Sequence, residues 1–488
     1  LGIGNFLHKK GWSEKDISLA STHIICRAVY PASEFKTVSF IKENSAICEV
    51  SGYQKDKITK DKLYRMSHIL YSVKDELERH LSKRTNELFD IDDKIIIYDL
   101  TNTYFEGQMK KSKLAKYGKS KEKRKDARLI VLAVVVNPEG FLKYSNIFEG
   151  NMADSKTLET VVDSLSSHTS FTNRRPIVVI DAGIATDDNL KMLKNKHYGY
   201  MCVSRSNLKE YYADTDSLPV EIKDKRGQPI ELMKVKTDKV DGDKYLWVKS
   251  KAKALKENSM NGLLSQRFEE GIQSIDEGIN KKGGTKKLDK VFERIGRLKQ
   301  KYPSVHKYYE INVSDDGKGT ATNISCEHKK GEDPNKKAGI YFLRTTLDEN
   351  DEKTLWDIYN IIREIEYTFR VLKTDLDLRP IYHKKDGATM AHLHLGILSY
   401  WIVATIRHQL KQKGYKHDWK EIVRIMNTQK CVTTSIKNIK DQTISIRQCT
   451  EPSQNVKQIY DLMNYKHVPF YRKKSVVLPA EIFKTDTS

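Results

Sequence analysis

Apolar residues recur at steps of three and four over residues 1–90, the period of helices that bury one face. Trp12-Ser13-Glu14-Lys15-Asp16 has the form of a helix start, with Ser13 as cap and an acid three residues later. A second helix follows Pro31-Ala32-Ser33-Glu34. A third begins near Thr59 and carries Leu63, Met66, Ile69, Leu70, Val73, Leu77 and Leu81 at helical spacing. The period changes after Asp92-Asp93. KIIIYDL (94–100) and RLIVLAVVV (128–136) are β-branched runs, and FLKYSNIF (141–148) returns across an Asn-Pro-Glu-Gly turn as a hairpin. A helix around 155–167, the strand PIVVID (176–181), a helix over 186–196 and the strand YGYMCVS (198–204) complete an α/β layer pattern.

The pattern breaks between 206 and 336. A β stretch (ELMKVKTD, KYLWVKSKAKA) precedes two Lys-rich amphipathic helices joined at KKGGTKK (281–287), which reads as an insertion. AGIYFLRTT (338–346) then resumes as a core strand. The expected organisation is a helical N-terminal domain (1–90), a first core part (91–205), the insertion (206–336), a last core part (337–410) and a basic C-terminal region (411–488), a candidate for dimerisation. The N-terminal helices suit a reader of DNA ends and equally a packing or dimerisation module, since no recognition helix announces itself.

YNIIREIEYTFRVLKTDLDLRPIYHKKD, from Tyr359 to Asp386, reads as one amphipathic helix stopped by Pro380. Tyr359, Ile362, Glu366, Phe369, Arg370 and Lys373 share a stripe, whereas Glu364 faces the other way. A carboxylate on an inward face needs a partner. Two candidates lie upstream: Asp99 after IIIY and Asp181 after IVVI, each at the end of a buried strand.

Composition adds a partner. Lys+Arg number 86 against 65 Asp+Glu, a net charge of +21 that favours a polyanion, nucleic acid first, over an inert basic surface. The six cysteines are scattered without CxxC spacing, which points to a reducing compartment and argues against zinc. The longest apolar run, 393–406, is interrupted by His394 and followed by Arg407, so it reads as a buried helix and no membrane association is expected. The chain opens on Leu1 rather than Met, which leaves the true N-terminus and any signal peptide open.

Two strand aspartates and a helix glutamate suit hard divalent cations, which take carboxylate oxygens and complete their shell with water and substrate phosphate. Two Mg2+ (or Mn2+) ions about 3.5–4 Å apart can serve an in-line phosphoryl displacement. The ordinary alternative is that each aspartate caps its own turn; the combination of three argues against it.

IIIYDLTNTYFEG, YGKSKEKR, FEGNMADSKTL, VVIDAGIATDDNL and the Tyr359 segment, in that order, resemble the DDE transposases of bacterial insertion sequences. The likeness is to the cut-and-paste group with a Tyr-Arg-Glu-Lys signature, over roughly residues 20–410. The resemblance places the catalytic acids on Asp99, Asp181 and Glu366, and the signature tyrosine and lysine on Tyr359 and Lys373. Ile362 stands where the signature has arginine; Arg370, on the correct face, is the better phosphate contact. The resemblance also implies a ribonuclease-H-like core with an insertion, cleavage at transposon ends, and transfer of the 3′-hydroxyl into target DNA. Double-stranded DNA (terminal repeats and target), a homodimer when ends are paired, and a cytoplasmic, nucleoid-associated location follow from it.

Further signals agree. The loop 107–128 holds ten Lys/Arg, including Lys119, Lys121, Lys123 and Arg124, and joins the strands beyond the first aspartate, where it could hold a phosphate backbone. Trp247 and Tyr245 could stack on an unpaired base, although sheet packing is the commoner role. Asp154, Asp187 and Asp188 read as helix caps, and His383 and His392 as structural histidines. Two other functions share these features: a nuclease of the same core that cuts without joining, and a transposase-derived DNA-binding protein without catalysis. The intact acids count against the last.

Overall fold

Polar caps punctuate the apolar stripes of the N-terminal region in the computed structural model. It describes the chain apart from residues 122–123, 125, 166–167, 169–174, 206–207, 209, 215–218, 225, 239–240, 332–334 and 478–488. α1 (Ile3–Lys9) leads to α2 (Glu14–Val29), where Ser13 accepts the Asp16 amide at 3.1 Å. α3 (Glu34–Asn44) is capped by Ser33; α4 (Ile47–Ser51) and α5 (Lys60–Ser72), capped by Thr59, follow. The helix expected to run from Thr59 past Leu81 is two helices. The backbone leaves helical geometry at Val73 (φ −108°, ψ 16°), and α6 (Lys74–Phe89) starts anew.

β1 (Ile95–Tyr104), β2 (Leu129–Val136) and β3 (Leu142–Glu149) form an antiparallel meander. Gly140, at φ +87°, closes the β2–β3 turn with its amide on the Asn137 carbonyl at 3.0 Å. After α7 (Leu158–Leu165), β4 (Ile177–Ile180) returns parallel to β1, and α8 (Asp187–Asn195) follows. Thr186 caps α8, in place of the expected Asp187 and Asp188. The strand order β3-β2-β1-β4, a meander followed by a parallel strand, is that of a ribonuclease-H-like core. β1 runs four residues beyond its expected end and buries Thr101, Asn102 and Thr103, which are polar in sequence. Asn102 grips the backbone of Lys119 and Lys121, and Thr103 donates to the Leu378 carbonyl.

Residues 201–360 form a second compact unit. β5 (Gly199–Val203) leads into it, followed by β6 (Tyr212–Ala213), β7 (Val220–Lys223), β8 (Pro229–Lys236) and β9 (Lys244–Ser250). α9 (Lys251–Asn280) and α10 (Leu288–Lys301) are the expected helical pair. β10 (Tyr309–Asp315) and β11 (Ala321–His328) add a hairpin that the sequence did not announce. β12 (Ile340–Thr345) and α11 (Glu352–Asn360) close the unit. β12, the strand expected to resume the core, pairs with β5 on one side and with β9 of the insertion on the other.

The first unit, residues 1–200 and 361–488, resumes with α12 (Ile362–Arg370), a π-helical turn over Val371–Asp375, and then α13 (Asp386–Gln412). The single helix expected from Tyr359 to Pro380 is therefore interrupted: Tyr359 ends α11, and Glu366 lies on α12. α14 (Trp419–Met426), β13 (Cys431–Lys437), β14 (Thr443–Cys449), α15 (Gln454–Leu462) and β15 (Lys473–Val477) complete the chain. The three strands form a small antiparallel sheet in the region left unassigned by sequence.

α13 organises the first unit. It is long and apolar enough to cross a membrane, yet 78% of its apolar window is buried inside the protein against α2, α5, α6 and β3. Its polar residues act as anchors: Ser399 donates to the Ile24 carbonyl at 3.0 Å, and Tyr400 donates to the Gly140 carbonyl at 2.9 Å. A buried polar network ties α6 to β3. Glu78 accepts the Ser145 amide and hydroxyl (3.0 and 2.6 Å), Lys74 donates to the Ser145 carbonyl (2.8 Å), and Lys143 pairs with Asp93 at 2.8 Å with both side chains fully buried. Removing one partner of such a pair strands a charge and costs several kcal/mol, about 3–5. The N-terminal helices thus belong to the same compact unit as the core.

Burial holds the His23 imidazole, which shares a hydrogen with Ser67 at 2.9 Å, down to about 3, with the Arg27 charge acting in the same direction. Below the unfolded value near 6.5 the unfolded chain takes a proton that the folded chain refuses, so this residue makes acidification destabilising. A His23→Gln variant, which can keep the bond to Ser67, should lose its stability deficit relative to wild type by up to about 1.4 kcal/mol per pH unit below 6.5. Urea midpoints at pH 7, 6 and 5 test this; a gap independent of pH would refute it.

Candidate active site

The register of β1 and β4 sets the centre. Tyr98 stands opposite Ile180, so Asp99 and Asp181 come one residue beyond the last paired position, close enough for the Asp181 charge to act on Asp99. Asp181 follows the last residue of β4, where its carbonyl accepts the amides of Ile184 and Ala185 (3.0 and 3.1 Å) and fixes the turn. Its carboxylate is exposed.

Asp99 is different. It sits within β1, not at a strand end as expected, and its side chain is 19% exposed. Burial pushes its carboxyl up to about 6; Lys121 and the Leu100 amide pull it down, while the charges of Asp181 and Asp154 push it further up. The Leu100 amide reaches Asp99 Oδ1 at 2.7 Å, and Lys121 Nζ stands 3.8 Å from the same oxygen while donating to the Leu100 carbonyl. Lys373, on the π-helical turn, is half-buried, and its ammonium is lowered to about 8 by burial and by Lys121, against the attraction of Asp99. Adjacent carboxylates, one disfavoured by burial and by its neighbour's charge, fit a divalent cation, and the two lysines supply the compensating positive charge.

α12 packs against β1 and β2 through Ile365, Thr368 and Phe369. Thr368 is bonded to Tyr400 at 2.9 Å, which links α12 to α13 and to the β2–β3 turn. Glu366 is exposed on this helix, where the sequence expected it on the inward stripe with Phe369. Exposure resolves the cost that burying it would carry. Among the described residues no hydrogen bond or ion pair engages Glu366. Glu364 does face away, toward Lys411 at 3.8 Å.

The other expected contacts divide. Lys119 is exposed on the basic loop, held through its carbonyl by Asn102 at 2.9 Å, and Lys121 is at the centre. Lys123 lies outside the described residues. Arg124 is committed to Asp126 through two bonds of 2.8 Å and rests on the Tyr104 ring. Arg370 is half exposed, 3.8 Å from Asp418 and stacked on Tyr367, whose ring Arg407 also covers. Tyr359, on α11 in the second unit, does not share the helix of Glu366. Trp247 and Tyr245 are corrected outright as base-stacking candidates: both are buried in a cluster with Leu208, Val235 and Phe342.

Two contributors went unrecognised in the sequence. Asn102 reads as a polar interruption of a strand, yet it organises the loop bearing Lys119 and Lys121. Asp154, expected as a cap, opens a single 3-10 turn (Asp154–Lys156) and adds to the negative field at Asp99. The loop is further pinned by glycines. A Cβ at Gly118 would lie 2.1 Å from the Gly150 carbonyl oxygen, and one at Gly150 would lie 2.0 Å from that of Leu129, so both positions exclude any side chain.

Residues 90–402 match the model of the transposase DDE domain. Among solved structures, the chain is similar to the piggyBac transposase in a synaptic complex with hairpin DNA (10% identity, 85% of this chain and 70% of that one, TM-score 0.37). It is also similar to the Mos1 transposase paired-end complex with the left transposon end (10% identity, 35% and 58%, TM-score 0.17). A third similarity is to the Mos1 mariner paired-end complex with Mn (10% identity, 35% and 58%, TM-score 0.15). No curated protein sequence matches the chain.

The raised Asp99 carboxyl makes its ionisation unfavourable in the folded, metal-free chain. The deficit is absent below the unfolded value near 3.8, grows as pH rises toward 6, and is constant above it. Asp99→Asn should therefore stabilise the chelator-treated protein at pH 7.5 by roughly 1–3 kcal/mol, the gain vanishing toward pH 4. Equal or lower stability of the variant at pH 7.5 in chemical denaturation would count against this.

Proposed function

The chain belongs to the DDE transposases, enzymes of DNA transposition, and from that premise we propose that it cuts DNA at transposon ends and joins the freed 3′-hydroxyl to a target strand. The observation that carries the reading is the adjacency of Asp99 and Asp181, whose charge acts on the buried acid, with α12 packed on β1 and two lysines beside Asp99. Asp99 and Asp181 would hold Mg2+ or Mn2+, with Glu366 closing the site from α12. When bound, two such ions activate the attacking oxygen and stabilise the leaving oxygen of an in-line phosphoryl displacement.

The chain's own residues do the positioning. Lys121 and Lys373 offer ammonium groups next to Asp99, where a scissile phosphate would bring negative charge, and Lys119 extends that cationic surface along the loop. Arg370 reaches a phosphate only by exchanging its contact with Asp418. Asn102 holds the loop in register so that Lys121 need not be ordered at the moment of binding. Two ends are brought together by two copies of the chain.

Pre-cleaved transposon-end DNA with a free 3′-hydroxyl, incubated with target plasmid and Mg2+, should give strand-transfer product; hydrolysis without joining would assign the nuclease activity instead. Glu366→Gln should lower cleavage by about 100-fold or more while DNA binding persists. Glu364→Gln should change it by less than about twofold, since it loses only a solvent-screened pair with Lys411. Cleavage surviving in Glu366→Gln removes that residue from the site.

A further inference from the structure

Away from the aspartates, three metal-ligating side chains from distant parts of the sequence converge. Glu34 opens α3, His383 lies on the irregular segment between the π-helical turn and α13, and His392 is on α13. Each offers a ligand atom, and these atoms all lie within 4.8 Å of one another. We propose that Glu34, His383 and His392 form a binding site for a first-row transition metal of the Zn2+ class, which fastens α3 to the segment that follows the catalytic helix.

The donor set argues for the class. Two imidazoles and a carboxylate suit Zn2+ and its neighbours, whereas Mg2+ prefers all-oxygen shells. Bonds of about 2.0 Å put tetrahedral donors about 3.3 Å apart, so the ligands must close by an ångström or so. His383 can supply that movement because its segment is neither helix nor strand. Tyr64 neighbours Glu34, and burial and the Glu34 carboxylate raise its hydroxyl.

A second observation points the same way. His392 is 9% exposed, and its Nε2 is buried without a hydrogen-bond partner among the described residues. The opposing charge is Arg27, whose guanidinium is tied to the Ala32 and Asp377 carbonyls at 3.0 and 2.9 Å and whose field reaches Glu34, His383 and His392. It offsets the carboxylate, so affinity must come from the imidazoles. The scattered cysteines that argued against zinc concern only cysteine frameworks.

The position gives the site a role. Two residues before His383, Ile381 is bridged to the end of β1: its amide donates to the Tyr104 carbonyl, and its carbonyl accepts the Glu106 amide, both at 2.9 Å. A metal here would clamp the N-terminal helices to the strand that carries Asp99. The inference is independent of the catalytic reading.

The test uses the full chain, stripped with chelator and dialysed against Zn2+ in excess Mg2+. The wild type should retain one Zn2+ per chain and melt roughly 2–4 °C higher than in Mg2+ alone. His383→Gln, at a half-exposed position outside regular structure, should lose both the ion and the shift, as should His392→Gln. Asp99→Asn, which alters only the acid site, should keep both. Co2+ added to the stripped wild type should give visible d–d absorption, which needs no variant to fold. No retained zinc, a colourless cobalt protein, or zinc lost from Asp99→Asn but kept in His383→Gln would each overturn the proposal.

Discussion

A carboxylate held in the interior of a strand is the constraint around which the first unit is arranged. Asp99 cannot be moved to the strand end without losing its register with Asp181, and it cannot be buried uncompensated. Burial, the Asp181 charge and the Asp154 charge all work against its ionisation. The structure answers with the Leu100 amide, the Lys121 ammonium and the more distant Lys373. Each of these requires its own support: Asn102 for the loop, the π-helical turn for Lys373, Thr368 and Tyr400 for α12. The site is electrostatically strained in the absence of a cation, the condition expected of groups built to bind one.

The same logic explains the polarity of β1. A strand that must present an acid on one face and hold a basic loop on the other side of the next residue cannot be uniformly apolar. Thr101, Asn102 and Thr103 are buried because each finds a backbone partner or a ladder position. Glycines at 118 and 150 then allow the loop backbone to approach β2 and β3 closely enough for those bonds to form.

Much of this was legible in the sequence. The helix starts at Ser13, Ser33 and Thr59 and the Asn137–Gly140 turn are local signals, and they hold where expected, whereas Asp99 was expected at a strand end and lies within β1. The misses share a physical cause. Periodicity cannot see a break without proline or glycine, so the joint at Val73 and the interruption between Tyr359 and Glu366 were invisible: the residues on both sides keep helical spacing. Tertiary burial decides the fate of aromatics, so Trp247 became core. Ion pairs formed across a few residues, such as Arg124 with Asp126, remove cations from a surface that composition alone assigns to DNA. Glu34 with His383 and His392 lay beyond any spacing rule, because only a fold in which α3 and α13 both pack on α5 unites them.

The buried bonds between α6 and β3 have a consequence for how such an enzyme can change over evolutionary time. Glu78, Lys74 and Asn86 on α6 and Ser145 and Lys143 on β3 make a seam whose halves are useless, indeed harmful, apart. A recombination event that exchanged the first ninety residues between relatives would have to bring a matching β3 with it. Whatever role the N-terminal helices play, it is inherited with the core rather than acquired by swapping modules. Divergence in this lineage should therefore proceed by surface substitution, residue by residue, and not by shuffling of parts.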